Sequence, residues 1–302
     1  MADILVHAFL LLAMPPILLG VINKTKSWFG GRKGPRLLQT YFDIAKLLRK
    51  GFVLSTTTTA MFVLGPVVTL VSVVLAGFLV PLGGFGAPIA FTGDFILFAY
   101  LFGLARFFTT TAALDTGSAF EGMGAAREAT FAVLSEPALF FVFLTLARIS
   151  GSLSLNGILH ASVGNFSSDT AAPLILTVIG LFAVLLAETC RIPVDDPNTH
   201  LELTMIHEVM VLDHGGPLLG IIEYASSIKL FVLGAMLMNV ISPFRMEGAL
   251  LGWGVFILQL LGMSVAIGIL ESIMARLRMK RVQYLLISAL LLCGAGFLLL
   301  VR

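Results

Sequence analysis

Apolar runs of about 20 residues, each closed by a short polar segment, constrain this chain more than any other feature. They lie near residues 4–22, 60–81, 94–113, 129–150, 171–189, 221–242, 249–272 and 284–301. A bilayer core about 30 Å thick takes roughly 20 residues at the helical rise. Such a segment must also satisfy its own backbone groups, which a helix does and an open strand does not. The predicted fold class is therefore all-α: a polytopic membrane protein of about eight transmembrane helices. With 58% hydrophobic and 12% charged residues, an ordinary soluble domain is excluded. No polar linker divides the runs, so residues 1–302 are expected to form a single integral membrane domain. No basic leader or cleavage site precedes the first run, which is expected to remain as a span. Pro15-Pro16, Pro66 and Pro137 fall inside or beside spans, where proline marks a kink.

Charge then orients the bundle. Every lysine and arginine except Arg148, Lys229, Arg245 and Arg302 falls at one end of the alternating spans. The positive-inside rule makes that end cytoplasmic and puts both termini outside. A net charge of +2 says little about partners; the apolar runs make the lipid bilayer the expected surroundings, and no nucleic acid is expected. Cys190 and Cys293 are far apart and belong to no CxxC pair, so neither a disulfide framework nor an Fe–S ligand set is present.

The basic end carries the distinctive segments. After Gly34-Pro35, Leu37, Tyr41, Ile44, Leu47 and Leu48 recur at helical spacing opposite Asp43, Lys46 and Arg49. This predicts an amphipathic helix at the membrane interface after the first span. The small residues around Asp115-Thr116-Gly117-Ser118 and Gly122-Met123-Gly124 are read as a tight loop before the fourth span. Between the fifth and sixth spans lies a polar island, from Glu188 through Arg191, Asp195, His200, Glu202, His207 and Glu208 to His214. His200 and His207 share a helical face, so a metal site or a protonation switch is open there. Val211 stands where HExxH would need its second histidine, and no nucleophile elbow, GxGxxG or GKS phosphate loop is present.

Carboxylates inside spans need a reason, because each costs roughly 2.5–3.5 kcal/mol near the bilayer centre even on the lenient insertion scale. Glu136, Glu188, Glu223, Lys229 and Glu271 lie a short way into spans from the basic end and are expected to point into the bundle. Lys229 is about 9 Å deeper than Glu223 by helical rise, and the two are read as a pair. Glu271 is read either as an ion pair with Arg276 or as a coupling group. Partly hydrated buried acids at hopping distance suit proton transfer.

Several motifs together resemble one superfamily. They are Arg32-Lys33-Gly34-Pro35, Gln39-x-Tyr41-x-Asp43-x-x-Lys46-Leu47, Ala105-Arg106-Phe107-Phe108 and Leu114-Asp115-Thr116-Gly117-Ser118. The superfamily comprises subunit 1 of respiratory complex I and its counterpart in membrane-bound group 4 NiFe hydrogenases. Gly124-Ala125-Ala126-Arg127-Glu128 with Glu136-Pro137, and the segment Glu271 to Arg278, resemble the branch of hydrogenase-4 component C and formate hydrogenlyase subunit 4. The resemblance implies a prokaryotic inner-membrane subunit without a redox cofactor of its own. Its partners would be a hydrogenase-like large subunit, an Fe–S small subunit and antiporter-like membrane subunits. Fe–S clusters, with or without a NiFe centre, would sit in those partners. The subunit would couple peripheral redox chemistry to H+ or Na+ movement. A purely structural anchor and a quinone-reactive complex I-like subunit stand as alternatives. The resemblance implicates Glu136, Glu188 with Arg191, Pro193 and Asp195, Glu223 and Lys229. The reading of the residues themselves adds Glu271 to the coupling groups, and places Arg32, Asp43, Asp115, Arg127, His200, Glu202, His207 and Glu208 with Arg191 and Asp195 on the interface and coupling loops. The chain departs from the family pattern at Val194, where the family has Phe, and in the histidine-rich stretch that follows.

Overall fold

The computed structural model describes residues 2–161, 168–195, 205–242 and 249–301. Seven of its helices are long and apolar enough to cross a membrane: α4 (Ala60–Leu79), α5 (Asp94–Asp115), α6 (Ala119–Ser150), α8 (Ser168–Glu188), α9 (Gly216–Ile241), α10 (Ala249–Ile273) and α11 (Met279–Val301). The first predicted span is a bent pair, α1 (Ala2–Ala13) and α2 (Pro15–Phe29), meeting at 44°. Counted as one span, the pair makes eight. Two short helices complete the set, α3 (Gln39–Leu48) and α7 (Leu155–Ala161), with a 3-10 turn at Glu208–Val211.

The bend has a local cause. Pro15 and Pro16 have no amide N–H, and the Ile17 amide turns to the Met14 carbonyl at 3.0 Å. The carbonyls of Leu12 and Ala13 thereby lose their helical partners. Tyr224 of α9 donates its hydroxyl to Leu12 O at 2.7 Å, and Tyr41 of α3 donates to Ala13 O. Two tyrosines distant in sequence thus satisfy backbone that the proline pair exposes, as apolar surroundings require.

The centre of the bundle is α9. Its apolar residues face every direction, and Ile228, Phe231, Val232, Leu233, Ala235, Met236 and Leu237 are all buried. By contrast α11 shows Tyr284, Leu291 and Leu298 on the outside, where lipid or a partner must cover them. Small residues let neighbours close in: a Cβ on Gly65 of α4 would lie 2.6 Å from Ala112 Cβ on α5.

Two expectations change. The amphipathic α3 forms where predicted, but its inward face is Tyr41, Ile44 and Leu47, while Leu37 and Leu48 stay exposed. It packs along α9 and α2, and a Cβ on Gly20 would fall 2.0 Å from Leu37 O. The glycine-rich segment after Ser118 is helical rather than a loop. Gly117, at φ +70, makes the turn, and α6 then runs from Ala119 without a break through Pro137.

Candidate functional site

Charged side chains of α6 and α8 converge on one cation, Arg106. It lies about 13 Å along α5 from Asp115 by helical rise, and its guanidinium meets three carboxylates. Nε donates to Glu128 Oε1 at 3.0 Å, one terminal nitrogen donates to Glu136 and the other to Glu188. Glu128 and Glu136 stand about two turns apart on α6, which puts both within reach of one side chain. Glu188, the last residue of α8, also accepts from Ser135 Oγ at 2.8 Å and pairs through Oε2 with Lys229 Nζ at 2.8 Å. Lys229 rests over the Phe102 ring, 5.6 Å from its centroid, a cation–π contact in apolar surroundings.

Three carboxylates face two cations, so the fully ionised cluster carries one surplus negative charge. Exposure separates its members: the Glu188 side chain is 6% exposed and that of Glu136 is 48% exposed. Glu136, expected to point into the bundle, lies instead on an outward stripe of α6 that includes Val133. The cluster therefore runs from the bundle interior to its lateral surface.

Two cavities meet at His207 beside the cluster. One of about 40 Å3 is lined by Arg106, Glu128, Glu188, Lys229 and His207, and is large enough for water. The other, of about 280 Å3, opens between α2, α3, α9 and the segment after α8, with Asp43, Cys190, Arg191, Glu208 and Glu223 in its wall. His207, Ile222 and Ser226 line both. The fold fixes the His207 backbone through Asp195, whose Oδ2 accepts from the amides of Ile206 at 3.0 Å and His207 at 3.1 Å. Arg276 holds Asp195 Oδ1 at 2.8 Å. Burial keeps the imidazoles of His207 and His214 below their ordinary range and raises the Cys190 thiol well above its own.

The other residues singled out from the sequence occupy separate places. Glu271 is buried between Lys26 of α2, at 2.8 Å, and Arg191, at 3.5 Å. Its expected partner Arg276 lies beyond the end of α10 at Ile273 and binds Asp195 instead. The expected Glu223–Lys229 pair does not form, because six residues along a helix put side chains on different faces. Lys229 turns to Glu188, and Glu223 turns to the larger cavity. Asp115 caps α4, accepting from Thr59 N at 2.7 Å and Thr59 Oγ1 at 2.8 Å. Arg127 donates to Met205 O at 2.7 Å and braces the polar segment against α6. Arg32 is exposed on the loop after α2, and Asp43 accepts from Gln39 Nε2 at 2.9 Å. His200 and Glu202 lie outside the described residues. Among the described residues, no group of three or more His, Cys, Asp or Glu side chains is arranged to hold a metal ion.

Arg106 and Glu128 were absent from the coupling residues expected above, although Arg106 lies inside the predicted run 94–113. A base inside a span needs a buried partner, and that signal was present.

The profile of the NADH dehydrogenase family matches residues 2–302. This chain belongs to that family. Formate hydrogenlyase subunit 4 of Escherichia coli is 31% identical over 281 residues, covering 91% of this chain and 90% of the relative. Hydrogenase-4 component C of the same organism is 32% identical over 240 residues, covering 80% and 75%. One NADH-quinone oxidoreductase subunit, from Polaromonas naphthalenivorans, is 28% identical over 234 residues, covering 74% and 65%. A chain in the structure of the membrane-bound sulfane sulfur reductase, an archaeal respiratory membrane complex, has the same fold. Its TM-score is 0.81 at 19% identity, with 99% of both chains covered. The family expected from the motifs and the all-helical, multi-pass architecture are both shown.

Proposed function

We propose that this chain is the membrane anchor and ion-coupling subunit of a hydrogenase- or complex I-like oxidoreductase. The observation that carries this reading is the Arg106 cluster, ionisable groups contributed by α5, α6, α8 and α9 and set deep in an apolar bundle. Its one surplus negative charge is neutralised by one bound cation, so a small rearrangement of Arg106 or Lys229 changes the cluster's affinity for that ion. The larger cavity, with Asp43 and Glu223, supplies an entry from the basic end. Under the positive-inside rule that end faces the cytoplasm and both termini face out. Glu136 supplies the exit: a half-exposed carboxylate inside a span is costly against lipid, so an antiporter-like membrane subunit covers it. The Fe–S and hydrogenase-like large subunits dock on the basic end, over α3 and the polar segment, and hold the redox centres.

A structural role fits one part of the charge set better. Lys26, Glu271 and Arg191 join α2, α10 and the segment after α8 without touching the Arg106 cluster, and act as a clamp. Removing one partner of such a buried set is destabilising.

The test replaces Glu136 by Gln in the assembled complex. Ion-coupled turnover is expected to fall while the complex remains whole on blue-native gels. Normal coupling, or loss of assembly in place of turnover, would contradict the proposal.

A further inference from the structure

We propose that His207 relays protons between the larger cavity and the Arg106 cluster, which makes the ion passed by this subunit a proton rather than sodium. The proposal rests on the ion-coupling reading above and adds the carrier group and the ion.

Three observations support it. Among the described residues, His207 lines both cavities, and the only others that do so are Ile222, with no polar side-chain atom, and Ser226, with one hydroxyl. Its backbone is held by Asp195, at the start of the 3-10 turn, while its Nδ1 is out of solvent with no hydrogen-bond partner. The residue is thus anchored and its ring is not locked by a bond at that nitrogen. Acids stand on both sides: Glu208 and Glu223 line the larger cavity, Glu128 and Glu188 the smaller.

A neutral imidazole has one donor and one acceptor nitrogen, which is what a relay needs. Rotation about the side-chain bonds turns the bare ring nitrogen to the larger cavity, where a proton from water or a carboxylic acid bonds to it. The proton on the other nitrogen leaves for water or a carboxylate in the smaller cavity. The ring ends neutral in its other tautomer, and rotation about its side-chain bonds restores the first. Nothing is oxidised or reduced. Burial favours the neutral ring, which keeps the acceptor lone pair free. Sodium cannot use this relay, since hard cations take oxygen ligands and a ring nitrogen passes only a proton; at the cluster, the oxygens of Glu188 already hold Arg106, Ser135 and Lys229.

The experiment measures ΔpH formation in membrane vesicles carrying the whole complex, driven by the donor that sustains wild-type turnover, in sodium-free buffer. The variants are His207→Ala, His207→Gln and Glu188→Gln. His207→Ala and His207→Gln are expected to slow proton movement on the order of 10²-fold with assembly intact. Free imidazole, small enough for the larger cavity, is expected to restore His207→Ala but not His207→Gln, whose side chain fills the site. Ring-substituted imidazoles should rescue according to their pKa. Wild-type rates in both His207 variants alongside a defective Glu188→Gln would overturn the relay and leave the coupling reading standing. A normal Glu188→Gln would remove the coupling reading itself. Slow His207→Ala without imidazole rescue would mark His207 as structural and overturn the relay, and an obligatory sodium requirement in the wild type would also overturn the proposal.

Discussion

Arg106 is the residue on which most of the site's energetics depend. Removing one partner from a buried ion cluster leaves the others uncompensated, at a cost of about 3–5 kcal/mol. Arg106→Gln is therefore expected to lower thermal stability of the complex sharply, and Arg106→Gln/Glu188→Gln to recover part of the loss. A double variant no more stable than the single one would show that the three carboxylates are not held by this cation. The buried histidines set a pH dependence. His207 and His214 both titrate below the ordinary 6.5 when folded, so between that lowered value and 6.5 the unfolded chain binds more protons. Stability is then full above about 6.5 and is lost as the pH falls below it. His214, stacked on Phe62 at 3.9 Å and within 3.2 Å of the Phe62 carbonyl, is the simpler one to test. His214→Gln should flatten the acid limb of melting temperature against pH, and an unchanged limb would contradict its share. At this scale the sequence showed which side chains were out of place in lipid, but not their partners. Glu188 and Lys229 were recognisable as misfits separately. That they meet each other, and that Arg106 stands between them and α6, depends on how four helices pack.

Among the elements, the broken first span shows how local sequence and distant packing combine. Pro15-Pro16 made a kink legible, since the missing amides are a property of proline alone. Tyr41 and Tyr224 were not legible as the groups that satisfy the exposed carbonyls, because nothing in their local sequence points to residues 12 and 13. Tyr224→Phe leaves the Leu12 carbonyl without its hydroxyl donor and is expected to cost about 1–3 kcal/mol, read as a lower melting temperature. No change would mean that the carbonyl finds another donor. Gly20 sets how closely the strap before α3 lies on α2. A Cβ there would lie 2.0 Å from backbone, so Gly20→Ala is expected to lift the strap and increase proteolysis between residues 30 and 38. The apolar middles of the long helices were legible because hydrocarbon thickness sets the length of an apolar run, whereas α9 and α11 each begin five residues before the run expected for them. The start of α6 was not legible, because glycine and alanine at 122–126 suit a tight loop and a closely packed helix equally. In α6 they allow close approach: a Cβ on Gly124 would lie 2.4 Å from Val209 Cγ1 of the polar segment.

For the whole molecule, the proposed function makes the arrangement a route with two ends. A cavity among α2, α3 and α9 opens at the basic end, a histidine separates it from a charged cluster, and the cluster reaches the flank of the bundle at Glu136. The exposed carboxylate is the feature that does not suit a subunit alone in lipid, and the proposed assembly would cover it. Glu188 is its most connected carboxylate, touched by α5, α6 and α9 at once. The most direct measurement is therefore the number of protons moved per electron by the intact complex carrying Glu188→Gln, which keeps the side-chain volume and abolishes the charge. The account predicts that electron transfer continues in an assembled complex while the proton-to-electron ratio falls below that of the wild type. A wild-type ratio in that variant would contradict it.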